Sequence, residues 1–266
     1  MIRLRQILED MCTVLVAYSG GVDSTFLLDV AVEVLGKDAM AVTALSPTYP
    51  GSDQESARRG ALRLGVRHLT ITTRELDDPD FRSNPPDRCY HCKRELFTRL
   101  LAMAKEEGLA WVADGSTTSD LADFRPGSRA ARELGVRSPL LEAGLDKPTV
   151  RQLSRERGLD TWDRPAMACL ASRFPYGQAI DHEALAQVSA AEDFLRSLGF
   201  RQVRVRHHGR LASIEVGHEQ VGELFAARAG VVDRLRAIGY AWVSLDLCGY
   251  RSGSMNEALS AEERNG

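Results

Sequence analysis

The chain has 266 residues, of which 44% are hydrophobic and 27% charged, and this length suits one larger and one smaller domain, each with its own core. Its formal net charge of −3 provides no general positive field, which argues against a dedicated nucleic-acid-binding protein. No apolar run of about 18 residues occurs, and the first residues lack the apolar segment of a signal peptide. We therefore expect a cytoplasmic protein with no membrane partner.

Strand and helix patterns alternate along the first 160 residues, which predicts an α/β fold with a parallel sheet covered on both faces. The predicted strands are residues 13–16, 39–45, 67–72 and 110–113. The predicted helices are residues 26–35, 52–65, 90–107 and 146–158. Ligands of such sheets bind beyond the carboxyl ends of the strands, so the loops that follow the strands should converge on one crevice; these are 17–25, 46–51 and 114–120.

The pattern changes near the middle of the chain. Residues 159–178 are predicted to be mostly irregular, and a loop of this length in a compact protein is usually functional. After it, the sequence predicts a small α+β domain with a helix at 181–199, strands at 202–207, 211–216 and 242–247, and two short helices before the last strand. We therefore expect two domains, residues 1–178 and 179–266.

A glycine-rich turn joins the first predicted strand to the first predicted helix. Gly20 and Gly21 would let the backbone approach an anion at the helix N-terminus, and Ser19 and Ser24 would add hydroxyl donors. Asp23 would repel a bare phosphate, so its presence indicates an Mg²⁺ between them and a metal–nucleotide ligand. The turn lacks the spacing and the lysine of a Walker A motif. An ordinary strand–helix turn without a ligand is the alternative.

Five cysteines in a chain expected to be cytoplasmic do not indicate a disulfide scaffold. Cys89 and Cys92 form a Cys-x-x-Cys pair at the start of a predicted helix, where the positive helix end lowers a thiol pKa. The pair alone fits half of a zinc site, a redox dithiol or two inert thiols. Together with Cys169, it could hold a 4Fe–4S cluster with one iron open, or relay a sulfur atom. We expect Cys12 and Cys248 to be core residues.

Arginines mark candidate anion sites in the second half of the chain. Arg164 and Arg173 flank Cys169 in sequence, and nearby guanidinium groups would favour its thiolate. Arg204 and Arg206 lie two apart on a predicted strand and so share a face, which suits an anionic substrate. A solvated strand face is the plain alternative.

The remaining candidates are polar residues. Asp114 and Ser116 end a predicted strand in the crevice and are candidates to contact adenosine or metal, a simple turn being the alternative. Arg125, before a Pro-Gly pair, is a candidate phosphate contact. Glu192 lies within a predicted helix, where we expect a surface carboxylate.

Several of these motifs resemble known families. Ser-Gly-Gly-Val-Asp-Ser (19–24) resembles the pyrophosphate loop of the ATP-pyrophosphatase, or PP-loop, superfamily, which includes NAD and GMP synthetases and tRNA-thiolating enzymes. Four further motifs resemble the LarE family of sulfur transferases: Asp-Arg-Cys-Tyr-His-Cys-Lys (87–93), Asp-Phe-Arg-Pro-Gly (123–127), Ala-Cys-Leu-Ala-Ser-Arg-Phe-Pro-Tyr-Gly (168–177) and Gly-Tyr-Arg-Ser-Gly (249–253).

The resemblance implies a PP-loop domain of the adenine nucleotide alpha hydrolase-like fold, followed by a smaller domain for substrate binding or oligomerisation. It implies that ATP with Mg²⁺ adenylates a carboxylate of pyridinium-3,5-biscarboxylate mononucleotide, and that sulfur then enters to give a thiocarboxylate. It implies sulfur from Cys169 itself, which is left as dehydroalanine, or from a 4Fe–4S cluster held by Cys89, Cys92 and Cys169.

The same resemblance implies that Arg173, Arg204 and Arg206 bind substrate and that Asp23 binds Mg²⁺, with Glu192 as a further metal candidate. It also implies homo-oligomers, hexamers among them. The other partners would be the nicotinate-derived mononucleotide and the enzymes of the nickel-pincer nucleotide pathway, with no nucleic acid.

Three other functions stay open at this point. An amidating ligase of the NAD or GMP synthetase type would need ammonia but no set of three cysteines. A tRNA thiolase would use similar cysteines, although the sequence shows no basic patch or zinc finger. A nucleotide-sensing protein without catalysis would release no AMP or pyrophosphate.

Overall fold

The structure is a computed structural model, and it describes residues 1–49, 51–122, 126–165, 168–251 and 253–254. The chain divides into two compact units: Met1–Glu75 with Asp87–Met167 form the first, and Leu76–Pro86 with Ala168–Gly266 form the second. The candidate Arg125 lies outside the described residues.

The described ranges contain the predicted helices and strands together with several helices that the sequence does not predict. The helices are α1 (Ile2–Met11), α2 (Val22–Leu35), α3 (Gly51–Arg63), α4 (Pro79–Arg82), α5 (Arg88–Glu106), α6 (Pro126–Glu133), α7 (Pro139–Glu142), α8 (Lys147–Glu156), α9 (His182–Ser197), α10 (Val221–Ala226) and α11 (Arg228–Ile238). The strands are β1 (Val14–Ala17), β2 (Ala39–Leu45), β3 (Arg67–Thr72), β4 (Trp111–Ala113), β5 (Val203–His208), β6 (Leu211–Val216) and β7 (Trp242–Leu245). Within these ranges, no helix combines the length and the apolar character needed to cross a bilayer.

The first unit contains the predicted parallel sheet, with strand order β3-β2-β1-β4. Apolar side chains are buried on both of its faces, because helices cover both. Phe26 and Val150, from α2 and α8, belong to the core on one face, and Phe97 and Leu100 of α5 belong to the core on the other. The α/β prediction for this unit is confirmed.

Helix α1 is an element that the sequence analysis missed. Its apolar residues recur at helical spacing and are fully buried, so the periodicity was present in the sequence: Leu4, Ile7, Leu8 and Met11. The sequence does not predict this helix because the apolar run directly precedes a stronger strand signal. The short helices α6 and α7 are also not predicted.

The second unit contains a three-stranded mixed sheet, in which β5 pairs antiparallel with β6 and β6 pairs parallel with β7. Leu195 of α9 and Leu235 of α11 pack with Val205 and Ile214 of the sheet in one core. This confirms the predicted smaller α+β domain.

The unit boundary differs from the predicted boundary at residue 178. Residues 76–86 and 168–178 belong to the second unit, because hydrogen bonds join these two segments. The side chain of Asn84 donates to the carbonyl oxygen of Pro175 at 2.7 Å, and the backbone carbonyl oxygen of Asn84 accepts the Gly177 N–H at 2.9 Å. Such a pairing, about 90 residues apart in sequence, leaves no periodic signal.

Cys12 and Cys248 are both exposed, so the prediction that they are core residues is wrong. Cys12 is the residue that ends α1, with a φ of 60° that turns the chain outward toward β1. Cys248 lies in a turn after β7, where its N–H donates to an Asp246 carboxylate oxygen at 2.8 Å. Neither turn buries its cysteine side chain.

Helix α3 passes so close to the residue after β1 that Gly60 cannot carry a side chain. Tyr18 is 2% exposed, and a Cβ placed on Gly60 would overlap its Oη. We predict that Gly60→Ala lowers the free energy of unfolding by about 1–3 kcal/mol, as overpacking does elsewhere.

Gly230 of α11 is the matched control, because its Cβ would meet no atom within 4 Å. There, Ala should raise stability by up to about 1 kcal/mol through helix propensity. Urea denaturation measures both changes. Adding Tyr18→Phe to Gly60→Ala should recover part of the loss, and an unchanged loss in the double variant would contradict the proposed overlap.

Candidate active site

The turn between β1 and α2 has the backbone geometry that the sequence predicts. Gly20 has a φ of +74°, and Gly21 is extended and precedes the first residue of α2. A Cβ on Gly20 would lie 2.9 Å from the Cα of Ala57, so no larger residue fits there. The first N–H groups of α2 have no partner within the helix, and the helix dipole makes this end attractive to an anion.

The hydroxyl groups of Ser19 and Ser24 form hydrogen bonds inside the turn. The Ser19 and Ser24 oxygens lie 3.1 Å apart, and the Ser19 N–H donates to Ser24 Oγ at 3.3 Å. The Gly21 N–H reaches Ser19 Oγ at 3.4 Å. Asp23, half-buried, stands in the first turn of α2, and a carboxylate there fits Mg²⁺ on an incoming phosphate chain. The predicted loop residues therefore form one local constellation.

The loop after β4 meets this turn, as predicted. A Cβ on Gly115 would lie 3.0 Å from the Ser24 nitrogen, so the two backbones are in close contact. Asp114 organises its own loop: one carboxylate oxygen accepts the Ser116 N–H at 3.1 Å and the Ser138 hydroxyl at 2.8 Å, and the other accepts the Ser116 hydroxyl at 2.8 Å. Asp114 thus holds Ser116 and Ser138 in fixed positions in and beside this loop.

An open cavity lies beside the turn. The end of β1, the end of β2, the loop after β2 and one side of α5 line it: Ala17, Tyr18, Ser19, Val42, Thr43, Ala44, Tyr49, Gln54, Lys93, Leu96 and Leu100. The sequence analysis missed Thr43, Gln54 and Lys93 as site residues. The sequence contains a signal for two of them: Thr43 places a hydroxyl within an apolar strand, and Lys93 directly follows the Cys-x-x-Cys pair.

The Cys-x-x-Cys pair occupies the first turns of α5, with Cys89 exposed and Cys92 half-buried. Three residues apart on a helix, they share a face. Helix α6 braces this turn: Tyr90 donates to Glu133 at 2.6 Å, and the Arg129 guanidinium lies 4.1 Å from the Tyr90 ring centre. The pair is therefore held next to Lys93 and the cavity.

Cys169 belongs to the second unit, where it is half-buried and precedes a short 3₁₀ turn, Leu170–Arg173. Its carbonyl oxygen accepts three hydrogen bonds, from the Ser172 N–H at 3.0 Å, the Ser172 hydroxyl at 2.8 Å and Arg173 Nη1 at 3.0 Å. The backbone of the cysteine loop is thus fixed by its own following residues.

Arg173 is 1% exposed, and its guanidinium is used within the protein. Nε and Nη2 donate to the two carboxylate oxygens of Glu192 at 2.7 and 2.9 Å, while Nη1 donates to the Ala168 and Cys169 carbonyl oxygens. In this structure the residue expected to bind substrate joins the cysteine loop to α9.

Glu192 is fully buried, so the expectation of a surface carboxylate is wrong. The face of α9 that carries it packs on β5, and the Val205 N–H of that strand donates to it at 3.1 Å. In all, the two Glu192 oxygens accept four hydrogen bonds: two from Arg173, one from Arg196 at 2.6 Å and one from the Val205 N–H. Because these donors are cations and an amide, the site does not fit a metal ion. Burial acts to raise the Glu192 pKa, but the hydrogen bonds and charges of these arginines outweigh it and hold the pKa below its ordinary value.

The two arginines of β5, Arg204 and Arg206, differ in whether a carboxylate of the protein already pairs with them. Arg206, 7% exposed, forms a bidentate ion pair with Glu215 at 2.6 and 2.8 Å, and it also donates to the Ser172 carbonyl oxygen at 2.8 Å. Arg204 is half-buried over the Tyr250 ring and makes no ion pair within the part of the chain that the structure describes. Burial and the nearby Arg173 charge lower its pKa, the response of a cation that would gain from an anionic ligand.

Comparison with known proteins places this geometry in a family. No family model matches the chain. The chain is 41% identical over 254 residues to the pyridinium-3,5-bisthiocarboxylic acid mononucleotide synthase of Lactiplantibacillus plantarum. The alignment covers 95% of this chain and 92% of the relative. The chain belongs to the LarE family.

Two other relatives are similar to this chain over different shares of its length. An uncharacterized protein of Synechocystis sp. is 44% identical over 259 residues, 97% of each chain. The tRNA-specific 2-thiouridylase MnmA of Caulobacter sp. is 27% identical over 210 residues, 63% of this chain and 51% of that protein. LarE-family membership and this PP-loop relative identify the chain as an ATP-using enzyme of the sulfurtransferase type with the PP-loop fold.

We predict that Glu192→Gln lowers the free energy of unfolding at neutral pH by about 3–5 kcal/mol, because it leaves Arg173 buried without its counter-charge. Asp193→Asn is the matched control: its side chain is 55% exposed, and the change should stay within about 0.5 kcal/mol. Urea denaturation measures both.

The stability that Glu192 contributes should decrease at low pH. Since the folded-state pKa of Glu192 lies below its ordinary value of 4.5, its contribution is present above that pH and is lost as the pH falls through the folded-state pKa. The stability difference between the native protein and Glu192→Gln should therefore narrow below pH 4.5. A constant difference across that range would refute the ion-pair account.

Proposed function

We propose that the protein uses ATP to adenylate a carboxylate of pyridinium-3,5-biscarboxylic acid mononucleotide and then exchanges the activated oxygen for sulfur, giving the thiocarboxylate required for a nickel-pincer nucleotide cofactor. One observation carries the proposal beyond family membership: the helix that bears Cys89 and Cys92 lines, through Lys93, the same cavity as Ser19 of the pyrophosphate loop. A sulfur-handling motif beside an ATP loop is what sulfur insertion into an adenylate requires.

The first step is activation, because a carboxylate is a poor electrophile. A carboxylate oxygen attacks the α-phosphate of ATP, and pyrophosphate leaves. The N–H groups after Gly21 and the hydroxyls of Ser19 and Ser24 would stabilise the leaving charge, and Asp23 would hold the Mg²⁺ that accompanies the phosphates. Ser116, oriented by Asp114, would contact the nucleotide from the adjacent loop.

Substrate charge would be neutralised in the second unit. The mononucleotide carries a phosphate and two carboxylates, and Arg204 is the cation that its surroundings leave available for them. Arg173 and Arg206 would act on the substrate indirectly, by fixing the backbone of the loop that carries Cys169. Arg125, which directly precedes the Pro-Gly pair in sequence, is the further phosphate contact that we propose.

The second step transfers sulfur. Three thiolates, Cys89, Cys92 and Cys169, suit a 4Fe–4S cluster with one open iron, which would supply sulfide when bound. In the sacrificial alternative, the Cys169 thiolate attacks the acyl carbon and AMP leaves. Loss of the Cys169 α-proton then breaks its Cβ–S bond, so the sulfur stays on the substrate and residue 169 becomes dehydroalanine. We also propose that the protein works as a homo-oligomer alongside the other enzymes of the pathway.

The test is an anaerobic reaction of purified protein with ATP, Mg²⁺ and the biscarboxylate mononucleotide. We expect substrate-dependent release of AMP and pyrophosphate, with a product in which mass spectrometry finds sulfur in place of oxygen. Cys169→Ser should abolish sulfur incorporation while leaving ATP binding intact. Cys12→Ser and Cys248→Ser, which replace the two exposed cysteines outside the site, are the matched controls and should retain activity.

Other results would point to other functions. An amide product formed from ammonia by Cys169→Ser would indicate an amidating ligase, and sulfur found in tRNA would indicate a thiolase. Multiple turnovers that are lost in Cys89→Ser and Cys92→Ser would favour the cluster route. A single turnover that leaves the polypeptide lighter by one H₂S would favour sacrifice of Cys169.

A further inference from the structure

Arg164 contacts the outer side of the pyrophosphate loop, a contact that its sequence position beside Cys169 does not predict. Its Nη1 donates to the Gly20 carbonyl oxygen at 2.8 Å, and its Nη2 donates to Ser56 Oγ of α3. Both contacts lie within the first unit. The guanidinium thus joins the loop to the helix that packs behind it.

The contact fixes the orientation of one peptide group. Because a trans peptide is planar, its C=O and N–H point in opposite directions. While Arg164 holds the Gly20 carbonyl outward, the Gly21 N–H must point into the loop, where it meets Ser19 Oγ. Glycines on both sides permit this peptide to rotate, and a rotated peptide would present a carbonyl oxygen to the anion instead.

Arg164 is itself held in place from α8. Arg151 donates through Nη2 to the Arg164 carbonyl oxygen at 2.6 Å and through Nη1 to the Trp162 carbonyl oxygen at 2.8 Å. The segment is irregular, yet its backbone is anchored, so the guanidinium is presented to Gly20 by a fixed support. A half-buried positive charge directly behind an anion-binding turn also adds favourable Coulomb energy for the anion.

We propose that Arg164 is a positioning residue for ATP: it holds the Gly20–Gly21 peptide in the anion-binding orientation and supplies positive charge behind the loop. The proposal rests on the proposed function only in that the loop binds the pyrophosphate portion of ATP.

The experiment is a calorimetric titration of the full chain with Mg²⁺–pyrophosphate and, separately, with adenosine. Arg164→Met should weaken pyrophosphate binding roughly ten- to hundredfold, the range of a hydrogen bond to a charged group, and leave adenosine binding unchanged. Arg164→Lys, which keeps the charge but loses the paired donors, and Ser56→Ala, which keeps the arginine but removes one anchor, should give intermediate losses. In ATP turnover, KM should rise more than kcat falls.

The matched control is Arg58→Gln, on α3 two residues from Ser56, where the exposed guanidinium pairs with Glu55 at 3.0 Å. It should bind both ligands like the native protein. Equal loss of pyrophosphate and adenosine binding in Arg164→Lys and Ser56→Ala would mean a general structural role and would overturn the proposal, as would native pyrophosphate binding by Arg164→Met. Failure of the native protein to bind pyrophosphate would instead overturn the proposed function.

Discussion

The strand-to-helix turn at Gly20 and Gly21 constrains what the first unit can bind. Its left-handed backbone, the close approach of Ala57 and the contact with the loop at Gly115 fix the turn from three directions. Gly20 is required at this position, because a larger residue would tolerate neither the positive φ nor the close approach of Ala57. The cavity beside this turn is also lined by α5, the helix that carries the Cys-x-x-Cys pair.

The second unit uses charge in a different way. Buried ion pairs of arginine and glutamate turn residues that look available for ligands into supports for the loop that carries Cys169. A buried pair contributes little net stability but is costly to break, so its main effect is to specify one arrangement of the loop. Arg204 has no carboxylate partner among the described residues, and for this reason we propose it as the contact for an anionic substrate.

Much of the fold could be predicted from the sequence, because apolar runs, glycine stops and capping residues are local signals. The convergence of the loops after β1 and β4 also followed from the topology of a parallel sheet. The roles of Arg173, Arg206 and Glu192 could not be predicted, since pairing and burial depend on which helix face meets β5 in three dimensions. The contacts of Arg164 with Gly20 and Ser56 could not be predicted for a similar reason, because these partners are more than 100 residues away in sequence.

In the proposed reaction, sulfur from this protein replaces oxygen on a carboxylate activated by ATP. The most direct measurement labels the protein during growth with heavy sulfur as its sole sulfur source and follows one turnover without added sulfide. The account predicts heavy sulfur in the product thiocarboxylate, whether the atom comes from a cluster or from Cys169. A product without sulfur, formed while ATP is cleaved to AMP, would contradict it.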